Sequence, residues 1–121
     1  IAIISLTMII VAFGTSAFMP PEEDIIGTWV SNDDELWKIT FTSSGERKDY
    51  YENVLADVSS YYITNTCGFY TRSNNELFLK TVDNENEVSC DLLNGIHIDE
   101  NGVITLSITS ERGKLYLFTK Q

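Results

Sequence analysis

Basic side chains are scarce in this chain: 8 lysines and arginines face 18 aspartates and glutamates across 121 residues, for a net charge of −10. So few cations among so many anions exclude a spread basic surface for nucleic acid, because approaching phosphates would meet the opposing field of the whole protein. Histidine occurs once, so nucleophilic catalysis of the Ser-His or Cys-His kind has a single imidazole to draw on. That residue, His97, stands between Ile96 and Ile98 and faces the opposite side of their run, which places it outward or at a rim. One histidine and two cysteines cannot assemble the usual N/S ligand set for zinc. A calcium loop starting at Asp83 would need Gly and Glu where Val88 and Asn94 stand, so Asp83, Glu85 and Glu87 read as a solvated hairpin tip. Asp33, Asp34, Glu35, Asp99 and Glu100 read likewise as turn and edge charges. The expectation is a non-enzyme with no catalytic residue, no metal and no cofactor. The length bounds it to one small domain.

Charge is absent altogether from the first 21 positions. Residues 1–13 are apolar apart from Ser5 and Thr7, and the small residues Gly14, Thr15, Ser16 and Ala17 follow. An apolar core followed by small residues at the cut is the pattern of an export signal, expected here over residues 1–17 without its basic leading stretch, with the mature protein starting between Thr15 and Phe18. A retained anchor is the alternative, since 19 uncharged residues can span a bilayer. Gly14 to Ser16 and the Pro20-Pro21 pair weaken such a helix. No cysteine follows the run, which disfavours lipid attachment. Residues 18–24, with Pro20-Pro21 and Glu22-Glu23-Asp24, read as a linker, and residues 25–121 as the folded domain. The expected location is periplasmic or extracellular, with no membrane association after cleavage.

No long helical pattern follows Pro21, so parallel strands, which need helical or similarly long crossovers, are excluded. What is present is a series of eight short runs rich in β-branched and aromatic residues, at 25–30, 35–42, 46–51, 61–71, 76–82, 88–99, 103–108 and 114–120. Turn chemistry separates them, including Asn32-Asp33, Ser43-Ser44-Gly45, Ser73-Asn74-Asn75, Asn101-Gly102 and Arg112-Gly113. Trp37, Ile39 and Phe41 alternate with Lys38, Thr40 and Thr42, as do Ile104, Leu106 and Ile108 with Val103, Thr105 and Ser107, giving strands with one buried face. Residues 53–60 fit no strand; an irregular loop is the preferred reading, and a single helical turn through Val54, Leu55 and Val58 the alternative. The expected fold is all-β: an eight-stranded antiparallel up-and-down barrel, because closure leaves no exposed edge.

Gly27-Thr28-Trp29 opens the first strand, the aromatic strand 37–41 follows, and Phe41 to Gly45 forms a Phe-x-x-x-Gly turn; Lys120 ends the final apolar strand. With the apolar N-terminal run, this layout resembles the small lipocalin-like proteins exported by Bacteroidetes. The resemblance implies that Trp29 packs across the closed end of a lipocalin-like barrel beside Gly27. The chain departs from larger lipocalins in that no Arg closes over Trp29 at a matching position near the end, where Arg112 and Lys114 are the only candidates. A second motif of the Thr-Asp-Tyr type is absent.

An even cysteine count in an exported chain favours one disulfide, Cys67 to Cys90. Symmetric hairpins would set both opposite Lys80 on strands about 9.5 Å apart, beyond the roughly 7 Å that a disulfide allows. A bulge or a looser start to the 61–71 run, at Gly68, would have to bring them together; otherwise the thiols stay apart or the topology is not a plain meander. A barrel of eight strands is either filled by its side chains or holds one small ligand. Trp37, Phe41, Tyr61 and Phe69 are the candidate ligand contacts, at the mouth away from Trp29. The leading expectation is a binding protein for a small, partly apolar molecule. The alternative is a filled barrel acting as a protein-interaction or inhibitor module through its acidic, tyrosine-bearing surface. An open cavity of roughly 300 Å³ or more favours the former. The oligomeric state is left open by the sequence.

Overall fold

The computed structural model of the chain describes residues 17–121. The export signal expected over 1–17 lies outside the described residues except for Ala17. In chain order the elements are β1 (Ala17–Met19), α1 (Pro21–Asp24), β2 (Gly27–Ser31), β3 (Trp37–Phe41), β4 (Glu46–Tyr51) and β5 (Val54–Thr64). There follow β6 (Thr66–Cys67), β7 (Tyr70–Thr71), β8 (Leu77–Val82), β9 (Val88–Ile98), β10 (Ile104–Thr109) and β11 (Leu115–Lys120). The segment 18–24, expected as a linker, thus carries strand β1 and one turn of helix.

Eight strands close into an antiparallel up-and-down barrel in the order β2-β3-β4-β5-β8-β9-β10-β11, with β11 returning to β2. Closure pairs Phe118 with Ser31 and Lys120 with Trp29. β9 is long: its first half pairs with β8 from Val88 to Leu93, and its second half pairs on the same side with β1 from Ile96 to Ile98. The alternation read from sequence sets the inner face, where Trp29, Ile39, Phe41, Leu106 and Phe118 are almost wholly buried.

Two segments depart from the sequence reading. Residues 53–60 are neither loop nor helical turn: β4 and β5 form a hairpin whose two turn residues, Glu52 and Asn53, both take positive φ (50° and 65°), the geometry of the tight turns that match strand twist. The run 61–71 is not one strand. β5 ends at Thr64, and β6 and β7 form a small separate hairpin, in which Gly68 takes a φ of +60° and Cys67 pairs with Tyr70. Cys90 does stand opposite Lys80, but Tyr62, not Cys67, is the other neighbour of Lys80. Because the hairpin leaves the barrel wall, Cys67 reaches Cys90 directly, with Cα atoms 5.9 Å apart and the disulfide formed. No bulge at Gly68 is needed.

The end of the barrel at Trp29 is closed. The indole is fully buried and its N–H donates to the Ile25 carbonyl at 2.7 Å, so the large ring plugs the barrel without stranding its polar atom. Lys120, rather than Arg112 or Lys114, covers it: the ammonium lies 5.3 Å from the indole centroid and donates to the Asp24 carbonyl at 2.8 Å. Gly27 makes this approach feasible. Its φ is +135°, and a Cβ there would sit 2.9 Å from Lys120 Cε. Arg112 and Lys114 belong instead to the opposite end, where Lys114 lies over Tyr116.

Candidate functional site

The other end is open. The strand connections 32–36, 52–53, 83–87 and 110–114 surround it, and beneath them lies a cavity of about 410 Å³ lined mostly by polar side chains. Strand alternation explains how they arrive there. On β4, Arg47 and Asp49 are paired with the inward-facing Phe41 and Ile39 of β3, so they too point into the barrel. Ser59, Thr81, Ser89 and Asp91 complete the ring from β5, β8 and β9.

Arg47 and Asp49 form a two-point ion pair, with Nε to Oδ1 at 2.8 Å and Nη2 to Oδ2 at 3.1 Å. Asp49 Oδ2 also accepts the Trp37 indole N–H at 3.1 Å. The guanidinium sits 5.9 Å from the Phe41 ring centroid. These contacts fix a cation and an anion at the neck of the mouth. Across from them, burial raises the pKa of Asp91 above its ordinary value; the charge of Arg47 and a hydrogen bond from the Glu111 backbone oppose this, and the charge of Glu111 adds to it. The Glu111 carboxylate accepts the Cys90 backbone N–H.

Beside these charges is a smaller space of about 90 Å³, bordered by Arg47, Asp91 and Ser110 and by Trp37, Ile39, Ile108, Tyr116 and Phe118. Trp37 stands edge-on to Tyr116 and Phe118, with centroids 5.5 Å and 5.0 Å away. The rest of the inner face is packed. Phe41 packs edge-on against Tyr61 at 4.9 Å, and the Tyr61 hydroxyl, its pKa pushed up by burial, donates to the Thr42 carbonyl at 2.7 Å.

The four aromatic residues singled out from sequence therefore fall in three places. Trp37 borders the space under the mouth, Phe41 and Tyr61 meet each other in the packed interior, and Phe69 is fully exposed on the β6–β7 hairpin outside the barrel. Sequence reasoning missed Arg47, Asp49 and Asp91. A signal for the first two is in residues 46–49, where charges occupy both alternation classes, so that in a closed barrel one class faces the interior; Asp91 has no such signal.

A second concavity lies outside the wall. The hairpin β6–β7, held by the disulfide, stands off from the outer face of β8 and β9 and leaves a groove of about 710 Å³ bordered by Phe69, Tyr70, Phe78, Val88 and Leu92. Arg72 anchors its base, donating to the Leu77 carbonyl at 2.7 Å with its guanidinium 5.5 Å from the Phe78 ring centroid. The β9–β10 ladder stops at Leu92 and Thr109. Above that point Ser110 and Glu111 fill a notch in the wall, and both residues line the mouth on one side and the groove on the other.

His97 lies on the half of β9 flanked by β1 and β10, at the closed half of the barrel and away from the mouth. Among the described residues, no group of three or more His, Cys, Asp or Glu is placed to hold a metal ion. No helix among them is long and apolar enough to cross a membrane. No family model, curated protein or solved structure matches the chain.

Proposed function

We propose that the chain is an exported, lipocalin-like binding protein that holds one small molecule in the polar mouth of its barrel, with a compact apolar group reaching the space between Trp37 and Tyr116. One observation carries the reading: Arg47, Asp49 and Asp91 are turned inward at the neck of an open cavity of about 410 Å³, a size within the range of small-molecule sites. Placing charges inside a barrel costs desolvation, which a purely structural role does not require. The charge balance narrows the ligand. Asp49, Asp57, Asp83, Glu87, Asp91 and Glu111 outweigh Arg47 and Arg112 around the cavity, which favours a neutral or cationic molecule over an anion. The disulfide supports an oxidising compartment and hence export.

The test is native mass spectrometry of protein purified from its own source. A retained small molecule, neutral or cationic, released on denaturation, is the expected result. A retained anion, or a ligand-free protein whose Trp37 and Arg47 resonances respond to no amine or alcohol in a small-molecule panel, would overturn it.

A second reading has one observation in its favour. Phe69 and Tyr70 are exposed at the tip of the β6–β7 hairpin, as an interaction module would present them. It predicts capture of a protein partner that is lost in Phe69→Ser.

A further inference from the structure

The interior under the mouth has room for only about 90 Å³, so a ligand with any extended apolar part must lay that part elsewhere. The outer groove is an apolar concavity of about 710 Å³ that shares Ser110 and Glu111 with the mouth. From the connection between the two, and resting on the mouth as the ligand site, we propose that the ligand is a single-chain cationic amphiphile. Its head lies among Asp49, Asp91 and Glu111, and its hydrocarbon chain passes over the notch at Ser110 and Glu111 into the groove outside the barrel.

Three observations converge on this occupant. The cavities are continuous in their lining, since Ser110 and Glu111 border both, and the notch between them exists because the β9–β10 ladder ends at Leu92. The groove presents apolar surface to water, with Phe69 fully exposed and Val88 about half exposed at 48%, which a hydrocarbon chain would cover. The excess of carboxylates around the mouth selects a positive head over a negative one. The groove is also built in advance: the disulfide from Cys67 to Cys90 holds its outer wall, and Arg72 holds its base, so little ordering cost attends binding. The plug at the notch is a side chain, Glu111, held by a backbone N–H of Cys90; a side chain can swing aside without disturbing the ladder.

Dodecylamine below its micellar concentration, butylamine and dodecanoate serve as probes in calorimetric titration, with amide chemical shifts recorded in parallel. The expected result is one-to-one binding of dodecylamine at least tenfold tighter than either comparison compound. Shifts at Ser89 and Asp91 should occur with both amines, and shifts at Val88 and Phe69 only with dodecylamine. Phe69→Ser, at a solvent-exposed position, should lower dodecylamine affinity at least threefold, and Asp91→Asn should weaken both amines. If the two amines bind equally and shift only mouth residues, the chain placement is overturned while the mouth stands as a site. If neither amine shifts the mouth, both readings fall. Equal binding of dodecanoate would overturn the choice of head. Cosedimentation with phosphatidylcholine vesicles in the absence of free amphiphile would assign the groove to a membrane surface and overturn the proposal as well.

Discussion

Trp29 shows how a single side chain closes one end of the barrel. Its ring is buried against Ile39 and the other inward residues of the base, its N–H is bonded to Ile25, and Lys120 lies over it. Trp29→Ala should therefore cost about 3–5 kcal/mol in denaturant unfolding, as a large-to-small change that the surrounding base cannot refill. A loss under about 1 kcal/mol would show that the end closes without it. Asp91 offers a different test at the mouth. Its pKa is raised in the folded state, chiefly by burial, so the folded protein binds this proton more tightly than the unfolded chain does. The ionised carboxylate consequently costs stability. That cost is absent below the unfolded-state pKa, grows as pH rises through the folded-state pKa, and is complete above it. Asp91→Asn should raise the unfolding midpoint at pH 7 and remove this descending part of the stability profile; an unchanged profile would show that the carboxylate is as well solvated folded as unfolded.

At the level of elements, legibility followed solvent exposure. β3 was plain in the sequence because one face is buried and the other wet, so Trp37, Ile39 and Phe41 alternate with polar neighbours. The start of β5 was not, because residues 54–57 stand at the open end with both faces exposed, and no alternation is required of a strand that buries neither side. The run 61–71 hid its break because Tyr61, Tyr62 and Ile63 in the barrel wall and Phe69 and Tyr70 on the hairpin are equally suited to strands. For the same reason Phe69 reads from the sequence as a contact at the mouth. The mouth is half legible: Trp37 is marked by its alternation, whereas the charges of residues 46–49 fall in both alternation classes, and only register shows that Arg47 and Asp49 are the pair facing inward. The hairpin β6–β7 has its own measurable role. Replacing Cys67 and Cys90 by serine should lower stability by about 2–5 kcal/mol and raise amide exchange at residues 66–71 first, with the β8–β9 ladder protected; uniform loss of protection would mean that the bridge supports the barrel as a whole.

The whole molecule divides its chemistry along the barrel axis, with a packed apolar base at Trp29 and a charged, open top at Arg47 and Asp91. The seam that completes it joins β2 to β11, the first and last strands of the barrel, so that Trp29 meets Lys120 and Ser31 meets Phe118. Apart from the pairing of β1 with β9 and the step across the β6–β7 hairpin, every other wall contact joins strands adjacent in the chain through a short turn. The seam has therefore the greatest loop-closure entropy to overcome, and in kinetic terms it should be the last part of the wall to form. Phe118→Leu should accelerate unfolding while leaving the refolding rate within about twofold, whereas a refolding rate slowed in proportion to the lost stability would place the seam in the folding nucleus. Until that seam shuts, both bordering strands present free edges to solvent, and the interval before closure is the period in which this protein is most exposed to pairing with its neighbours.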